Sequence, residues 1–347
     1  MANATTTGAT SKLSRRRVLG ILGAAAGAGV ALKVPLSSAL AGAASRLDRR
    51  IYRWRGVVLG AAAHITIVDQ ERRVAKAIVR DSLAEIARLE GIFSLYKNGS
   101  ALSRLNRTGA LEDPPADLLR LLSLARRVST VSGGAFDASV QPLWRLYADH
   151  FAKAGAEPAG PSAKAIAEIL EYVNYRDIKL APDRIALAKP GMALTLNGIA
   201  QGYIADRVVA LMRARGLGRS LVDLGEIYAL GRHSPKRPWR AGIADPRAPE
   251  RMAAQVDLAD GALATSGDYG TRFDHAGRFQ HILDPRSGRP VRYHRSISVK
   301  APSAATADAL STACFAMPED RCKATISKFP QASAIIVRGD GAVSNWL

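Results

Sequence analysis

Apolar residues recur along this chain with two periods, and the switches between them mark out its elements. Residues 56–69 alternate around Val58, Ile65, Ile67 and Val68, the pattern of a strand with one buried face. Arg72–Phe93 places Val74, Ile78, Leu83, Ile86 and Leu89 along one side of an amphipathic helix. Asn98-Gly99 and Asn106 mark a loop. A second helix is predicted from the Pro114-Pro115 pair to about Val131, stopped by Ser132-Gly133-Gly134. Residues 152–160, rich in Ala, Gly and Pro, read as a surface loop, and residues 176–187 as a hairpin turning at Ala181-Pro182-Asp183. A compact unit follows: a strand at 192–196, a turn at Asn197-Gly198, a helix over 199–215, and strands within 220–230 broken at Gly225. Short strands at 239–243, 253–258, 295–300 and 332–337 then alternate with a helix over 304–317. Strands in hairpins, with long helices between the groups, predict an α+β fold of mostly antiparallel sheets flanked by helices rather than a doubly wound sheet.

Residues 1–41 read as an address. Ser14-Arg15-Arg16-Arg17-Val18-Leu19-Gly20 is a twin-arginine export motif, an apolar Gly/Ala-rich stretch covers 18–32, and Ala39-Leu40-Ala41 is a small-residue cleavage site. The apolar run is about fifteen residues, short of the roughly eighteen that suggest a spanning helix, although an uncleaved anchor is the competing reading. Both cysteines, Cys314 and Cys322, lie far from the cleavage site, so a lipoprotein is excluded. Export by this route implies a protein that folds before it crosses and then works in the periplasm. There the two cysteines could pair, although nothing forces them to. With residues 42–55 as a linker, residues 56–347 remain, enough for one large domain or two intimate ones.

The formal charge is +19, and Lys12, Arg15, Arg16, Arg17 and Lys33 lie in the signal, which leaves +14 for the rest. The basic residues are scattered (Arg49, Arg88, Arg126, Arg213, Arg251, Arg338) instead of forming a stripe with aromatics. That distribution and an exported location argue against nucleic acid, and leave an anionic cofactor, a membrane surface or plain solvation as the use of the charge.

Two runs carry candidate chemistry. His281-Ile282-Leu283-Asp284-Pro285-Arg286-Ser287-Gly288 sets an imidazole and a carboxylate on either side of a strand-to-turn corner. Within Asp308-Ala309-Leu310-Ser311-Thr312, the first and last residues are four apart and share a helix face. A carboxylate beside a hydroxyl is the hard-oxygen pair that Mg²⁺ takes next to a phosphate. The other histidines, His64, His150, His233, His275 and His294, stand in no such run and read as ordinary surface or strand residues.

From about Gly56 to the C-terminus the chain resembles the ApbE family, the periplasmic FAD:protein FMN transferases. The resemblance rests on motifs in order: Phe93-Ser94-Leu95-Tyr96 with Ser103-Arg104-Leu105-Asn106; Ser132 to Asp137 with Gln141-Pro142-Leu143; and Asn197 to Tyr203 with Asp206. Trp239, Asp245-Pro246, Thr265 to Tyr269, the His281 run and the Asp308 run complete the series. It implies an ApbE-like, T-fold-related domain over 56–347 that uses FAD and Mg²⁺. Such an enzyme transfers FMN to a Thr or Ser hydroxyl of a partner flavoprotein and releases AMP, a reaction governed by positioning and charge neutralisation. By resemblance, Asp308, Thr312 and the Ala200 carbonyl hold the metal. Tyr96, Ala135, Phe136, Asp137, Gln201, Asp206, Ser266, Gly267 and His281 contact the cofactor. His281 and Asp308 are the catalytic candidates, and Asp284 fixes the corner beside His281. The chain departs from the family pattern at Thr195, Gln201, Leu224-Gly225-Glu226, Leu59-Gly60-Ala61 and Ser311, the last standing where some members carry a second Asp. With the export signal, these departures resemble the branch serving nitrous oxide reductase maturation, whose FMN acceptor is a membrane-bound electron-transfer protein.

Overall fold

The computed structural model describes residues 51–346 except His275, so the expected signal at 1–41 and most of the expected linker lie outside the described residues. Strands β1 (Ile51–Val58) and β2 (Ala61–Val68) form a hairpin where a single strand over 56–69 was expected, and β1 opens inside the stretch read as linker. The turn is Leu59-Gly60 with φ of 53° and 79°; both values are positive, as a two-residue hairpin turn requires, and Leu is not a residue that signals it. Helix α1 (Arg72–Phe93) has the predicted bounds. Ser100 then caps α2 (Ala101–Thr108) by accepting from the Ser103 N–H at 3.0 Å. Asn106, read as a loop residue, therefore sits on a helix.

After β3 (Ala110–Glu112) and α3 (Ala116–Val131) come two helices that the apolar pattern did not reveal, α4 (Gln141–Phe151) and α5 (Ala163–Leu170). Strands β4 (Ile178–Leu180) and β5 (Arg184–Leu187) form the expected hairpin, and β5 also pairs with β3. The strand expected at 192–196 joins no ladder. Asn106 holds this extended segment instead, taking the Leu194 N–H at 2.7 Å and donating to the Leu194 carbonyl at 2.8 Å. The Thr195 N–H goes to the Ala138 carbonyl, so a side chain and a loop do the work of a neighbouring strand.

The rest of the chain builds the frame: α6 (Ala200–Ala214), β6 (Ser220–Asp223), β7 (Ile227–Leu230), β8 (Trp239–Asp245), β9 (Ala248–Leu258), β10 (Gly261–Gly267), β11 (Ser296–Ala301), α7 (Ala304–Phe315), α8 (Glu319–Ile326), β12 (Ser333–Val337) and β13 (Val343–Trp346). Eight strands form one antiparallel sheet in the order β1-β2-β6-β7-β10-β11-β12-β13. Period-two alternation sends Ala262, Ala264, Ala334 and Ile336 to the face covered by helices, in one core with Ile204 of α6 and Leu310 of α7. Leu263 and Ile335 point the other way, onto Trp239, Ile243 and Val256 of the β8–β9 hairpin. A third, smaller core joins Leu143 and Tyr147 of α4 and Ile166 of α5 to Leu283, with Phe273 and Phe279 packed against it. It anchors the His281 segment to the body of the fold.

Helix α7 is buried almost all round and is rich in alanine, which lets α6 pack closely against it. A Cβ on Gly202 of α6 would lie 2.2 Å from the Ala304 carbonyl oxygen, so glycine is required at this crossing. Cys314 and Cys322 are buried free thiols, not a disulfide. Among the described residues no helix is long and apolar enough to cross a membrane.

Candidate active site

One cleft gathers residues from eight separate stretches of chain. Tyr96, 41% exposed, stands at its mouth just after α1, where the Ser94 hydroxyl accepts the Tyr96 and Lys97 N–H groups and turns the chain. Ala135, Phe136 and Asp137 follow the Gly133-Gly134 turn, both glycines having positive φ. Ala200 and Gln201 open α6, Ser266 and Gly267 end β10, His281 comes from the loop region before β11, and Asp308 and Thr312 project from α7. The cavity measures about 220 Å³. That is below the roughly 300–1,000 Å³ of drug-sized sites, so it encloses only part of a large ligand.

Two kinds of group line it. Phe93, Phe136, Val140, Trp144 and Leu283 supply an apolar part. The other part presents side-chain oxygens. Asp308, 5% exposed, accepts the Gly202 N–H at 3.1 Å in the first turn of α6, where the helix dipole favours an anion. Burial nevertheless pushes its carboxyl up to about 7, with Asp206 adding repulsion and the Gly202 hydrogen bond opposing. The Ser311 hydroxyl donates to the Asp308 carbonyl at 2.9 Å, so in its 2.8 Å contact with Ser266 the Ser266 hydroxyl is the donor. Thr312 lies 3.4 Å from Ser266, with Ser266 as its acceptor, and keeps its oxygen lone pairs free for a ligand. A Cβ on Gly198 would lie 2.8 Å from Thr312 Oγ1, so glycine lets the Asn197-Gly198 turn close against this hydroxyl. Among the described residues no three His, Cys, Asp or Glu side chains gather into a metal cluster. A metal here would depend on hydroxyl, carbonyl and substrate oxygens as well as carboxylates, a donor set suited to Mg²⁺.

His281 Nδ1 lies 3.0 Å from the Thr271 carbonyl. A carbonyl only accepts, so Nδ1 carries the proton and Nε2 presents its lone pair. Burial lowers the imidazole below its ordinary 6.5, the Thr271 contact opposing, so the ring is neutral at pH 7. This state makes His281 a proton acceptor.

Eleven of the expected residues, Tyr96, Ala135, Phe136, Asp137, Ala200, Gln201, Ser266, Gly267, His281, Asp308 and Thr312, share this cleft. Asp137 also fastens the loop: its oxygens take the Ser139 N–H and hydroxyl and the Tyr175 N–H. Asp206, expected as a cofactor contact, is not among the lining residues. It accepts from the Ser303 hydroxyl and the Ala304 and Ala305 N–H groups at 2.7–2.9 Å, capping α7 from the side of α6. His294, read as an ordinary surface or strand residue, is buried with Nε2 on the Met317 carbonyl. Glu226 and Trp144 line the cleft and were not foreseen. Glu226 did leave a sequence signal, an acid in the Leu224-Gly225-Glu226 turn between the strands 220–223 and 227–230.

Fold and cleft together define an α+β protein whose ligand site joins an apolar pouch to a hard-oxygen cluster. The chain belongs to the ApbE family, which matches residues 59–336. It is 32% identical to the FAD:protein FMN transferase of Treponema pallidum, over 85% of this chain and 86% of that protein. The Haemophilus influenzae FAD:protein FMN transferase is 29% identical, over 88% and 92%. The ApbE protein of Thermotoga maritima superposes with a TM-score of 0.74 at 30% identity, over 86% of this chain and 97% of its own, which establishes the α+β architecture.

Proposed function

We propose that this protein is a Mg²⁺-dependent FAD:protein FMN transferase. The observation that carries the reading is the meeting, in one cleft, of an apolar part fit for a ring system with Asp308, Thr312 and a neutral, lone-pair-bearing His281. The relatives named FAD:protein FMN transferases support it. In this reading the acceptor Thr or Ser hydroxyl loses its proton to His281 Nε2 as its oxygen bonds to the FMN-side phosphorus. The P–O bond to the AMP-side phosphate breaks, and AMP leaves with the bridging oxygen. Asp308, Thr312 and the Ala200 carbonyl would hold the cation, which neutralises charge on the pyrophosphate. The apolar part excludes water, which would otherwise compete with the acceptor hydroxyl.

The Arg15-Arg16-Arg17 motif and its apolar run support export to the periplasm, and the acceptor is then a membrane-bound flavoprotein of the nitrous oxide reductase system. Ser311, in place of a second Asp, favours one alternative: an accessory protein that binds flavin without transferring it. Incubation with FAD, Mg²⁺ and a Thr-containing acceptor domain distinguishes the two by mass spectrometry. Covalent FMN on the acceptor, lost in Asp308→Ala, supports transfer; tight flavin binding with no transfer supports the accessory role.

A further inference from the structure

Glu226 is an acid of the cleft with a fully buried side-chain oxygen that meets no hydrogen-bond partner. It stands at the tight β6–β7 turn, where its carbonyl accepts the Leu224 N–H at 3.2 Å and the Asp223 side chain accepts the Gly225 N–H at 3.2 Å. Gln201, next to Ala200, donates to the Leu224 carbonyl and ties this turn to the start of α6. The backbone of Glu226 is therefore fixed beside the residues that open the oxygen-lined part. Its side chain is 8% exposed and faces the cleft together with Asp308, Thr312 and Ser266. The Thr265 N–H reaches the carboxylate, but Oε2 has no partner. A buried carboxylate oxygen left open costs free energy unless a proton or cation meets it. Ser311, by contrast, has its hydroxyl committed to the Asp308 carbonyl and to Ser266, so position 311 offers no charge and little ligating capacity.

We propose that Glu226 is the second carboxylate of the cation cluster, supplying from the β6–β7 turn the negative charge that α7 lacks at Ser311. The ligand class is a small, hard divalent cation of the Mg²⁺ or Mn²⁺ type, which takes one or two carboxylates together with substrate oxygens. The proposal rests on the reading of Asp308 and Thr312 as cation ligands, and its test needs neither FAD nor an acceptor. Free Mn²⁺ is followed by electron paramagnetic resonance in titrations of the full chain. Glu226→Gln should weaken Mn²⁺ binding about tenfold or more, consistent with the loss of one charged ligand. Glu226→Asp, which keeps the charge but withdraws it by a methylene, should fall between Gln and the parent, and it answers the question if the Gln variant does not fold. Adding Ser311→Asp to Glu226→Gln should recover part of the affinity. Asp308→Ala binding weakly while both Glu226 variants bind like the parent would overturn the role of Glu226 alone, and would mean that Glu226 holds a proton instead. Parent-like binding in all three would overturn the cation reading as well.

Discussion

Asp206 offers the sharpest separation of a structural role from a ligand contact. Asp206→Ala removes three hydrogen bonds at 2.7–2.9 Å and leaves the Ala304 and Ala305 N–H groups of α7 without their acceptor. Loss of an N-cap alone costs about 0.5–2 kcal/mol, and hydrogen bonds to a charged group contribute roughly 1.5–3 kcal/mol each. The full sum does not apply, because burial raises the Asp206 pKa and relief of that desolvation offsets part of the loss. The expected net cost is about 2–3 kcal/mol. For a domain of about 300 residues the unfolding entropy near the midpoint is roughly 0.6 kcal/mol per kelvin, so Tm should fall by about 3–5 °C. Calorimetry of the ligand-free protein reads this shift, and a flavin fluorescence titration at 20 °C reads the affinity. The folded variant should bind FAD within about threefold of the parent, since Asp206 lies outside the lining and acts on the cleft only through its cap on α7 and its repulsion of Asp308. An unchanged Tm with FAD binding weakened tenfold would refute the capping role and restore Asp206 as a cofactor contact.

Two other perturbations follow from the same geometry. Gly202→Ala drives a Cβ to 2.2 Å from the Ala304 carbonyl oxygen, a backbone atom that cannot swing aside, and should cost on the order of 3 kcal/mol or more, read as a fall in the urea midpoint; a parent-like midpoint would contradict the close α6–α7 crossing. Since burial lowers the His281 pKa, its neutral form is complete above 6.5 and is lost only as pH falls through the lowered value. At saturating Mg²⁺ the acid limb that His281 contributes to FMN transfer should therefore lie below pH 6.5 and disappear from the residual rate of His281→Gln; a limb that persists unchanged in His281→Gln would remove His281 as the proton acceptor.

Elements were legible where one local signal fixed them. Arg72–Phe93 carries a long single-face pattern, and 116–131 is bracketed by Pro114-Pro115 and Ser132-Gly133-Gly134, so both helices have the predicted extents. Where the stabilising partner is remote, local pattern misled. Residues 192–196 have strand character, but Asn106, 88 positions away from Leu194, takes their hydrogen bonds. The Leu59-Gly60 turn carries no Asn or Asp, and its positive φ values are stabilised by the ladder on either side rather than announced by residue type. Asp206 and Asp308 are both acids in the first half of an alanine-containing helix, and nothing in their immediate neighbours tells a cap from a cleft residue.

The sequence alone determined the α+β class, the family and eleven of the residues that line the cleft, because motif spacing and hydrophobic period are properties of the chain itself. Tertiary structure decided how each acid is engaged. Asp137 and Asp206 accept backbone N–H groups brought to them by folding, whereas Asp308 and Glu226 meet in a buried corner with a carboxylate oxygen of Glu226 still open. Hydrogen-bond satisfaction and desolvation depend on neighbours in space. They separate chemically identical side chains only once the chain has closed around them.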